Sequence, residues 1–262
     1  MITVEEATEQ VLSRIEPLPA ERVGLVDALG RVLAEPVISD IDVAPFDNSA
    51  MDGYAVRAAD VAGASDEAPV TLEVLEHIPA GAWPERPVGH GQASRIMTGA
   101  PMPPGADAVV MVERIRPGEA AGGPGGTVLI CAPAAARENV RARAEEVREG
   151  ETVLLPGETV GAAAIGLAAS VGHAELVVRR RPRVAIVSTG DELVDVTEKP
   201  GPGKIRNSNS YTLAALVRLA GGEALILGVA RDTMDDTRAL LSRASEFDLM
   251  VTTGGVSMGD FD

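Results

Sequence analysis

The sequence predicts an α/β protein of several domains. An elongated N-terminal α+β part with a small inserted β domain is followed by a doubly wound α/β domain. Three observations predict this class. The chain has 262 residues, more than the roughly 100–200 of a typical single domain. Residues 68–138 contain short β-branched runs broken by Pro and Gly, which is typical of strands joined by turns. From residue 176 onward, apolar strands alternate with helices, as in a parallel sheet.

The N-terminal part is expected to begin with a helix. Thr3 and Glu6 have the spacing of a capping box, and Pro17 ends the apolar run that follows. That run places several apolar side chains on one helical face, namely Val4, Ala7, Val11, Leu12 and Ile15. A second apolar set spans residues 26–37. Residues 160–170 are rich in Ala and Gly, and they predict a close-packed helix that links one unit to the next.

The last part of the chain has the pattern of a parallel sheet. Residues 184–187, 224–229 and 249–251 are short apolar runs, which predict buried strands. Residues 209–220 and 235–247 lie between them and predict helices. The apolar face of the first helix is predicted to consist of Leu213, Leu216, Val217 and Ala220. The resulting βαβαβ order predicts a doubly wound sheet with right-handed crossovers.

Composition excludes several classes of function. The net charge of −16 and the pI of about 4.6 argue against a binder of duplex nucleic acid or of an anionic membrane, since both require clustered Lys and Arg. No apolar run approaches the roughly 20 residues that span a bilayer. Residues 1–6 lack the basic start of a signal peptide, so we expect a cytoplasmic protein.

Residue types also limit the chemistry. The single cysteine, Cys131, is interpreted as a small buried side chain, and the histidines lack the paired spacing of metal ligands: His77, His90 and His173. Aromatic residues make up 2% of the chain, too few for the stacking platforms of proteins that bind single strands. The chemistry is therefore expected to come from carboxylates, hydroxyls and backbone amides.

The stretch from Pro45 to Val56 is unusually dense in polar groups. The side chains of Asp47, Asn48 and Ser49 are of the kind that bond neighbouring backbone groups and fix a loop. In Asp52-Gly53, a carboxylate stands beside a residue that is free to adopt a positive φ. These features predict a loop that presents the acid to a ligand. The alternative is an Asp-Gly hairpin turn between two strands.

Two glycine-containing loops follow strands of the predicted parallel sheet. Ligands of such sheets bind outside the carboxyl ends of the strands, so both loops are expected at one edge. Their backbone amides and hydroxyls suit a phosphorylated ligand, and the residues concerned are Ser188, Thr189, Gly190, Thr253, Gly254, Gly255 and Ser257. The alternative is that each loop is an ordinary glycine turn.

Acidic residues beside this predicted anion site indicate a cation. Asp191 and Glu192 suit Mg²⁺, which prefers a few carboxylates together with phosphate oxygens and water; the alternative is that they cap the next helix. Asp260 and Asp262 are candidates for further ligands. The charged run of Lys204, Arg206, Asn207 and Ser208 precedes a helix, where it would meet the oxygens of phosphate or of another oxyanion. A solvated charged loop is the alternative.

Five segments in order, residues 45–56, 95–101, 138–150, 188–193 and 254–260, resemble the motifs of the molybdopterin molybdenumtransferase family, the MoeA and gephyrin E-domain group. The predicted domains are an elongated domain of residues 1–44 and 139–175, an inserted β domain of residues 45–138, and a molybdopterin-binding domain of residues 176–262. The resemblance implies that this last domain is incomplete, because the family continues beyond it and ends in a small β domain.

The resemblance also implies an activity. The family inserts molybdate into adenylylated molybdopterin and releases AMP with the help of Mg²⁺, in a cleft that is built across a homodimer. Further candidate partners are the molybdopterin adenylyltransferase and apo-molybdoenzymes. Two alternatives stay open. The first is a module that binds molybdopterin without turnover. The second is a nucleotide-utilising enzyme of another class, although the chain has no Walker lysine motif and no Gly-x-Gly-x-x-Gly turn.

Site roles follow from the resemblance residue by residue. Asp52, Thr98 and Glu192 are the predicted catalytic residues, and Arg95 and Ser208 join the two glycine loops in binding substrate. The predicted metal ligands are Asp191, Glu192, Glu146, Asp260 and Asp262. The sequence departs from the family at two positions. Ala144 stands where the family usually has Gly, which restricts the backbone, and Glu146 stands where it has Asp.

Overall fold

The computed structural model describes residues 2–231 and 233–254. The chain divides into two compact units. Unit 1 consists of Met1–Pro36, Leu155–Gly166 and Ala174–Asp262. Unit 2 consists of Val37–Leu154 and Leu167–His173. The predicted α/β class is confirmed, whereas the three predicted domains stay a prediction. Among the described residues, no helix is long and apolar enough to cross a membrane.

The helices are α1 (Val4–Leu12), α2 (Ala58–Val61), α3 (Ala162–Ser170), α4 (Asn209–Leu219) and α5 (Met234–Leu241), with 3₁₀ turns at Val112–Arg114, Glu119–Gly122 and Ser242–Glu246. The strands of the first half are β1 (Ala20–Gly24), β2 (Val37–Ile38), β3 (Asn48–Ser49), β4 (Gly53–Val56), β5 (Val70–Ile78), β6 (Gln92–Ile96), β7 (Ala108–Met111), β8 (Ile115–Pro117) and β9 (Thr127–Ile130). Those of the second half are β10 (Val140–Arg141), β11 (Thr152–Leu154), β12 (Glu175–Arg179), β13 (Arg183–Thr189), β14 (Leu193–Val194), β15 (Ile205–Arg206), β16 (Glu223–Ala230) and β17 (Leu249–Thr253).

The opening helix has the predicted capping box. The Thr3 N–H donates to Glu6 Oε2 at 2.9 Å, and the Glu6 N–H donates to Thr3 Oγ1 at 3.1 Å. The helix ends at Leu12, before Pro17 is reached. Its predicted apolar face is exposed, with Val4 at 77% and Leu12 at 63%. The cap and the spacing therefore define the helix, whereas burial of its apolar side chains does not.

Unit 2 is built around a six-stranded sheet of order β7-β4-β6-β5-β9-β8. β5 and β6 run parallel, and the other neighbours are antiparallel. Alternate residues of β4 pack into two separate hydrophobic clusters. Tyr54 and Val56 belong to one cluster, and Ala55 belongs to the other. This period-two alternation buries every residue of β4. Five of these six strands lie in residues 68–138, where the sequence predicts a small β domain, and β4 is the sixth.

Unit 1 contains the predicted parallel sheet, in the order β16-β13-β17. β13 is central, with α4 leading to β16 on one side and α5 leading back to β17 on the other. After β13 the chain forms β16 on one side of it and then returns to form β17 on its other side. The strand order therefore reverses at β13, as in a doubly wound sheet. β12 pairs with β1 instead, as a separate antiparallel ribbon.

The predicted apolar face of α4 needs a correction. Leu213 and Val217 are half-buried as expected, but Leu216 is 54% exposed and Ala220 is exposed as well. Ser210 is fully buried on this helix because its hydroxyl has polar partners inside the unit. A pattern of apolar residues alone could not reveal that a serine lies on the inner face.

Candidate functional site

Three of the family-like segments meet in unit 2, around strand β3. The Ser49 N–H donates to Ala100 O at 3.0 Å, and the Gly99 N–H donates to Ser49 O at 2.8 Å, which fixes the segment 95–101 on one side. β3 also pairs antiparallel with β10, from the segment 138–150. The loop of residues 45–56 therefore lies between two chain segments that are distant from it in sequence.

The polar side chains of this loop fix it, Asn48 and Ser49 through neighbouring backbone groups as predicted and Asp47 through residues distant in sequence. Asp47 Oδ1 accepts a hydrogen bond from the Arg143 N–H at 2.8 Å, and its other oxygen contacts Arg137. The Arg137 hydrogen bond, followed by that of the Arg143 amide, lowers the pKa of Asp47. Asn48 Nδ2 donates to Phe46 O at 3.3 Å, and Ser49 Oγ donates to Met51 O at 2.5 Å.

Asp52, at the start of β4, is brought together with Thr98 and Arg95. Its Oδ1 accepts hydrogen bonds from the Thr98 N–H at 2.7 Å and from Thr98 Oγ1 at 2.8 Å. These two bonds, first the amide and then the hydroxyl, lower the pKa of Asp52, and the charge of Arg95 adds to the effect. The acid is exposed, so it is an ionised, oriented acceptor that faces solvent. We call Asp52, Thr98, Arg95 and Tyr54 the acid cluster.

Arg95 is positioned by its neighbour across the sheet. Tyr54 on β4 and Arg95 on β6 are register partners. Arg95 Nη1 donates to the Tyr54 hydroxyl at 3.3 Å, and the guanidinium lies 5.7 Å from the centre of the Tyr54 ring, within the range of a cation–π contact. No local sequence pattern distinguishes Tyr54 or Arg137 as a residue of the site. Arg137 is 90 residues from its partner Asp47, so only the fold brings the two together.

Gly53 has a different role from the one predicted. It does not adopt a positive φ, and β3 pairs with β10 rather than with β4, so the Asp-Gly hairpin alternative is wrong. A Cβ at this position would lie 2.1 Å from the carbonyl oxygen of Val110 on β7. Glycine is required because the two strands approach each other closely.

The departures from the family at positions 144 and 146 lie in the segment that follows β10. Ala144 has φ of 57°, a left-handed conformation that favours glycine. Its N–H donates to Ala44 O at 2.9 Å, which holds the turn in place. Glu146 is exposed, and its N–H donates to Val43 O at 2.9 Å. Glu146 belongs to unit 2, whereas the other described metal candidates, Asp191 and Glu192, belong to unit 1.

In unit 1 the two predicted glycine loops share one edge of the parallel sheet. Ser188 and Thr253 are register partners at the carboxyl ends of β13 and β17. A Cβ on Gly254 would lie 2.5 Å from Thr189 Oγ1, so the loops are in direct contact. Gly190 has φ of 135°, and a Cβ there would lie 2.4 Å from Glu192 Oε2. We call Thr189, Gly190, Glu192, Thr253 and Gly254 the glycine-loop edge.

A network of buried polar side chains adjoins the glycine-loop edge. The Ser188 side chain is fully buried, and its hydroxyl lies 2.8 Å from Ser210 Oγ and 3.3 Å from Asn207 Oδ1. Asn207 Oδ1 also accepts from the Ser210 N–H at 3.2 Å, at the start of α4. Ser188 and Asn207 therefore have internal partners, and so does the Gly190 N–H, which donates to Ala230 O at 3.3 Å.

The candidate metal ligands at this edge are two neighbouring carboxylates. Asp191 and Glu192 are both exposed, and the Lys204 ammonium contacts the backbone carbonyl of Asp191. Within residues 2–231 and 233–254, no three His, Cys, Asp or Glu side chains are grouped so as to hold a metal ion. Ser208 precedes α4 and is exposed. The remaining predicted residues, Gly255, Ser257, Asp260 and Asp262, lie outside the described residues.

Comparison with known proteins gives the family context of these two residue sets. Residues 2–172 match the family described as the MoeA N-terminal region (domain I and II), and residues 185–262 match the family described as a probable molybdopterin binding domain. The first match covers the acid cluster, and the second covers the glycine-loop edge.

Relatives and solved structures agree with these matches. The chain is 39% identical over all its 262 residues to a molybdopterin molybdenumtransferase of Staphylococcus aureus, and 37% identical to one of Staphylococcus epidermidis. It spans 61% of the length of both enzymes. Two crystal structures of a molybdopterin biosynthesis MoeA protein from Pyrococcus horikoshii superpose with TM-scores of 0.82 and 0.88, at 36% and 33% identity. They align with 97% and 98% of this chain, and with 64% and 67% of theirs. The chain therefore belongs to the MoeA family.

Proposed function

We propose that this protein acts in molybdenum cofactor biosynthesis as a molybdopterin molybdenumtransferase, which inserts molybdate into adenylylated molybdopterin and releases AMP. The observation that carries the proposal is the 39% identity to a molybdopterin molybdenumtransferase along the whole chain. The geometry supports it, because the acid cluster and the glycine-loop edge offer complementary groups. A cytoplasmic location and assembly as a homodimer are part of the proposal.

The reaction brings two anions together, so the protein has to position them and offset their repulsion. At the glycine-loop edge, the loops that contain Gly190 and Gly254 and the hydroxyl of Thr189 would meet the phosphate oxygens. In the acid cluster, Asp52 is an acceptor for an N–H or O–H of the bound substrate, and Thr98 orients it. Arg95 adds a positive charge beside the acid. No protein nucleophile is needed.

Magnesium fits the donor set beside the glycine-loop edge. Asp191 and Glu192 are two exposed carboxylates, and Mg²⁺ commonly takes one or two carboxylates together with phosphate oxygens and water. When bound, the ion would neutralise phosphate charge next to these acids. The two side chains would hold it between the protein and the nucleotide part of the substrate.

The test is release of AMP from adenylylated molybdopterin in the presence of Mg²⁺, with and without molybdate. We expect molybdate-dependent release that falls on the order of 100-fold in Asp52→Ala, the usual loss when one polar contact to a reacting group is removed. Asp66→Ala is the matched control, because Asp66 is an exposed aspartate of the same unit whose partner is Arg116. Equal rates in the Asp52→Ala variant and the parent chain would remove Asp52 from the mechanism.

A second candidate function is binding of molybdopterin without turnover. It is favoured by one observation, the match of residues 185–262 to the family described as a probable molybdopterin binding domain. In that case the folded chain would bind molybdopterin and release no AMP under any of the conditions above. The same samples, assayed by equilibrium dialysis with molybdopterin, distinguish the two functions.

A further inference from the structure

An exposed aromatic side chain lies beside the loop of residues 45–56. Trp83, the only tryptophan of the chain, is 68% exposed. Its ring packs edge-to-face with Phe46, with ring centres 5.6 Å apart and planes at 89°. The contact with Phe46 holds the indole while most of its surface is left in solvent. A large apolar ring that is held in place and left open is typical of a binding surface.

The backbones that carry both rings are fixed. Phe46 O accepts from Asn48 Nδ2, and the next residue, Asp47, accepts from the Arg143 N–H. On the other side, the Glu76 carboxylate accepts from two backbone amides just beyond Trp83, those of Glu85 at 3.2 Å and Arg86 at 3.1 Å. Pro84, which follows Trp83, is buried. A ring presented on such a frame loses little conformational entropy when it binds.

The two rings come from the same sheet edge as the acid cluster. β5 and β6 are parallel, with Ile78 opposite Ile96, so the segments that follow them leave the sheet at one edge. The first of these segments carries Trp83 and the second carries Thr98. The Met97 N–H donates to Ile78 O at 3.1 Å, which joins the two segments at their start. The Met102 N–H donates to Asp47 O at 2.9 Å and brings the residue after Phe46 to the second segment.

We propose that Trp83 and Phe46 form a stacking site for a flat heteroaromatic ring of the substrate. The identity of the ring rests on the proposed function, in which the substrate carries two such rings, the pterin and the adenine. Stacking on an aromatic side chain is favourable for any flat heteroaromatic ring. The acid cluster lies at the same edge, so the ring would be held while Asp52 accepts a hydrogen bond from another part of the same molecule. Trp83 is a binding and positioning residue in this arrangement.

The experiment measures binding of three probes to the full chain by equilibrium dialysis: free pterin, AMP, and ribose 5-phosphate as a probe without a ring. We expect saturable binding of at least one ring-containing probe, and weaker or no binding of ribose 5-phosphate. Trp83→Ala should weaken ring binding about 5- to 100-fold, the loss usual for one stacking contact. Trp83→Phe should keep most of the affinity, and Phe46→Leu should lose part of it. The difference between pterin and AMP identifies the ring that is bound.

Two controls make the result interpretable. Tyr211→Ala removes an exposed aromatic ring of unit 1, which is 49% exposed, and should leave ring binding unchanged. Because Trp83 is the only tryptophan, its fluorescence in the parent chain should be quenched by the ring-containing probe that binds, with the same saturation as the dialysis curve. The thermal midpoint of Trp83→Ala confirms that this variant is folded.

Either of two results would overturn the proposal. One is that neither pterin nor AMP binds the parent chain saturably, and the other is that Trp83→Ala binds both as tightly as the parent. The proposed activity fails separately. If AMP release is absent but ring binding depends on Trp83, the stacking site is supported and the proposed transferase activity is contradicted. If AMP release depends on Asp52 but ring binding ignores Trp83, the activity stands and the stacking site falls.

Discussion

At the level of single residues, Thr98 lowers the pKa of Asp52. Its amide and its hydroxyl both donate to one carboxylate oxygen, and they hold the pKa of Asp52 below its ordinary value of 3.8. Since the pKa is lower in the folded state, these contacts stabilise the fold at pH values above the ordinary pKa. The stabilisation is lost as pH falls through the folded-state pKa. Asp52 is therefore ionised throughout the neutral range.

Removing only the hydroxyl tests this assignment. Thr98→Val should raise the pKa of Asp52, because the second-largest cause of its lowering is lost. The pKa should stay below the ordinary value, because the Thr98 amide and the charge of Arg95 remain. Titration of the Asp52 carboxyl carbon by NMR measures the shift, and Thr98→Ser should behave like the parent. If Thr98→Val leaves the pKa of Asp52 unchanged, the hydroxyl does not act on the acid.

Ala144 has a strained backbone conformation. Its φ of 57° costs an L-residue about 1–2 kcal/mol of folding free energy. Glycine avoids this cost, but part of the stabilisation is offset because glycine is more flexible in the unfolded state. We expect Ala144→Gly to stabilise the protein by about 0.5–1 kcal/mol, measured from the midpoint of urea unfolding. Ala215→Gly, at an exposed position of α4, should instead destabilise by about 1 kcal/mol. Destabilisation by both substitutions would contradict the strain at position 144.

At the level of elements, the close contact of β4 and β7 depends on Gly53. A Cβ there would lie 2.1 Å from Val110 O, a backbone atom that cannot move without disturbing the sheet. Gly53→Ala should destabilise unit 2 by about 1–3 kcal/mol, the usual cost of overpacking. Gly63→Ala is the matched control, since nothing lies within 4 Å of a Cβ there and its φ is not positive. Thermal midpoints that fall equally in both variants would exclude the steric explanation.

The elements of unit 1 show what local sequence can predict. β13, β16 and β17 were predictable because each is an uninterrupted apolar run, and runs that alternate with helices form parallel sheets. The pairing of β1 with β12 was not predictable, because no local feature of Ala20–Gly24 indicates a partner so distant in sequence. The inner face of α4 was missed in part because buried hydrogen bonds, rather than apolarity, place Ser210 there.

The candidate site shows the same limit. Short-range chemistry predicted that Asn48 and Ser49 bond neighbouring backbone groups, and the strand pattern predicted that the loops after β13 and β17 share one edge. The bond of Asp47 to the Arg143 amide, 96 residues away, was not predicted. The reason for Gly53 was misjudged because glycine permits both a positive φ and a close approach of strands, and only the neighbouring strand decides between them. The contact of Trp83 with Phe46 was not predicted, because a low aromatic content does not indicate that two of the few aromatic side chains pack together.

At the level of the whole molecule, an ion pair of unit 1 provides a stability marker that is independent of unit 2. Arg180 binds both oxygens of Asp248, at 2.6 and 2.8 Å, and the Arg183 N–H donates to the same carboxylate. The Arg180 bonds, followed by that of the Arg183 amide, lower the pKa of Asp248 to about 2. The pair is partly exposed, so we expect it to contribute about 1–2 kcal/mol at neutral pH. This contribution is complete above pH 3.8 and is lost as pH falls toward 2.

Two compact units are expected to unfold as separate transitions, and the chain offers a selective probe of one of them. Trp83 lies in unit 2, so its fluorescence follows that unit, whereas calorimetry follows both. Asp248→Asn should lower one calorimetric transition at pH 7, leave the fluorescence midpoint unchanged, and lose its effect as pH approaches 2. Gly53→Ala should shift the fluorescence midpoint and the other transition. If either substitution moved both transitions together at every pH, the two units would unfold as a single cooperative body.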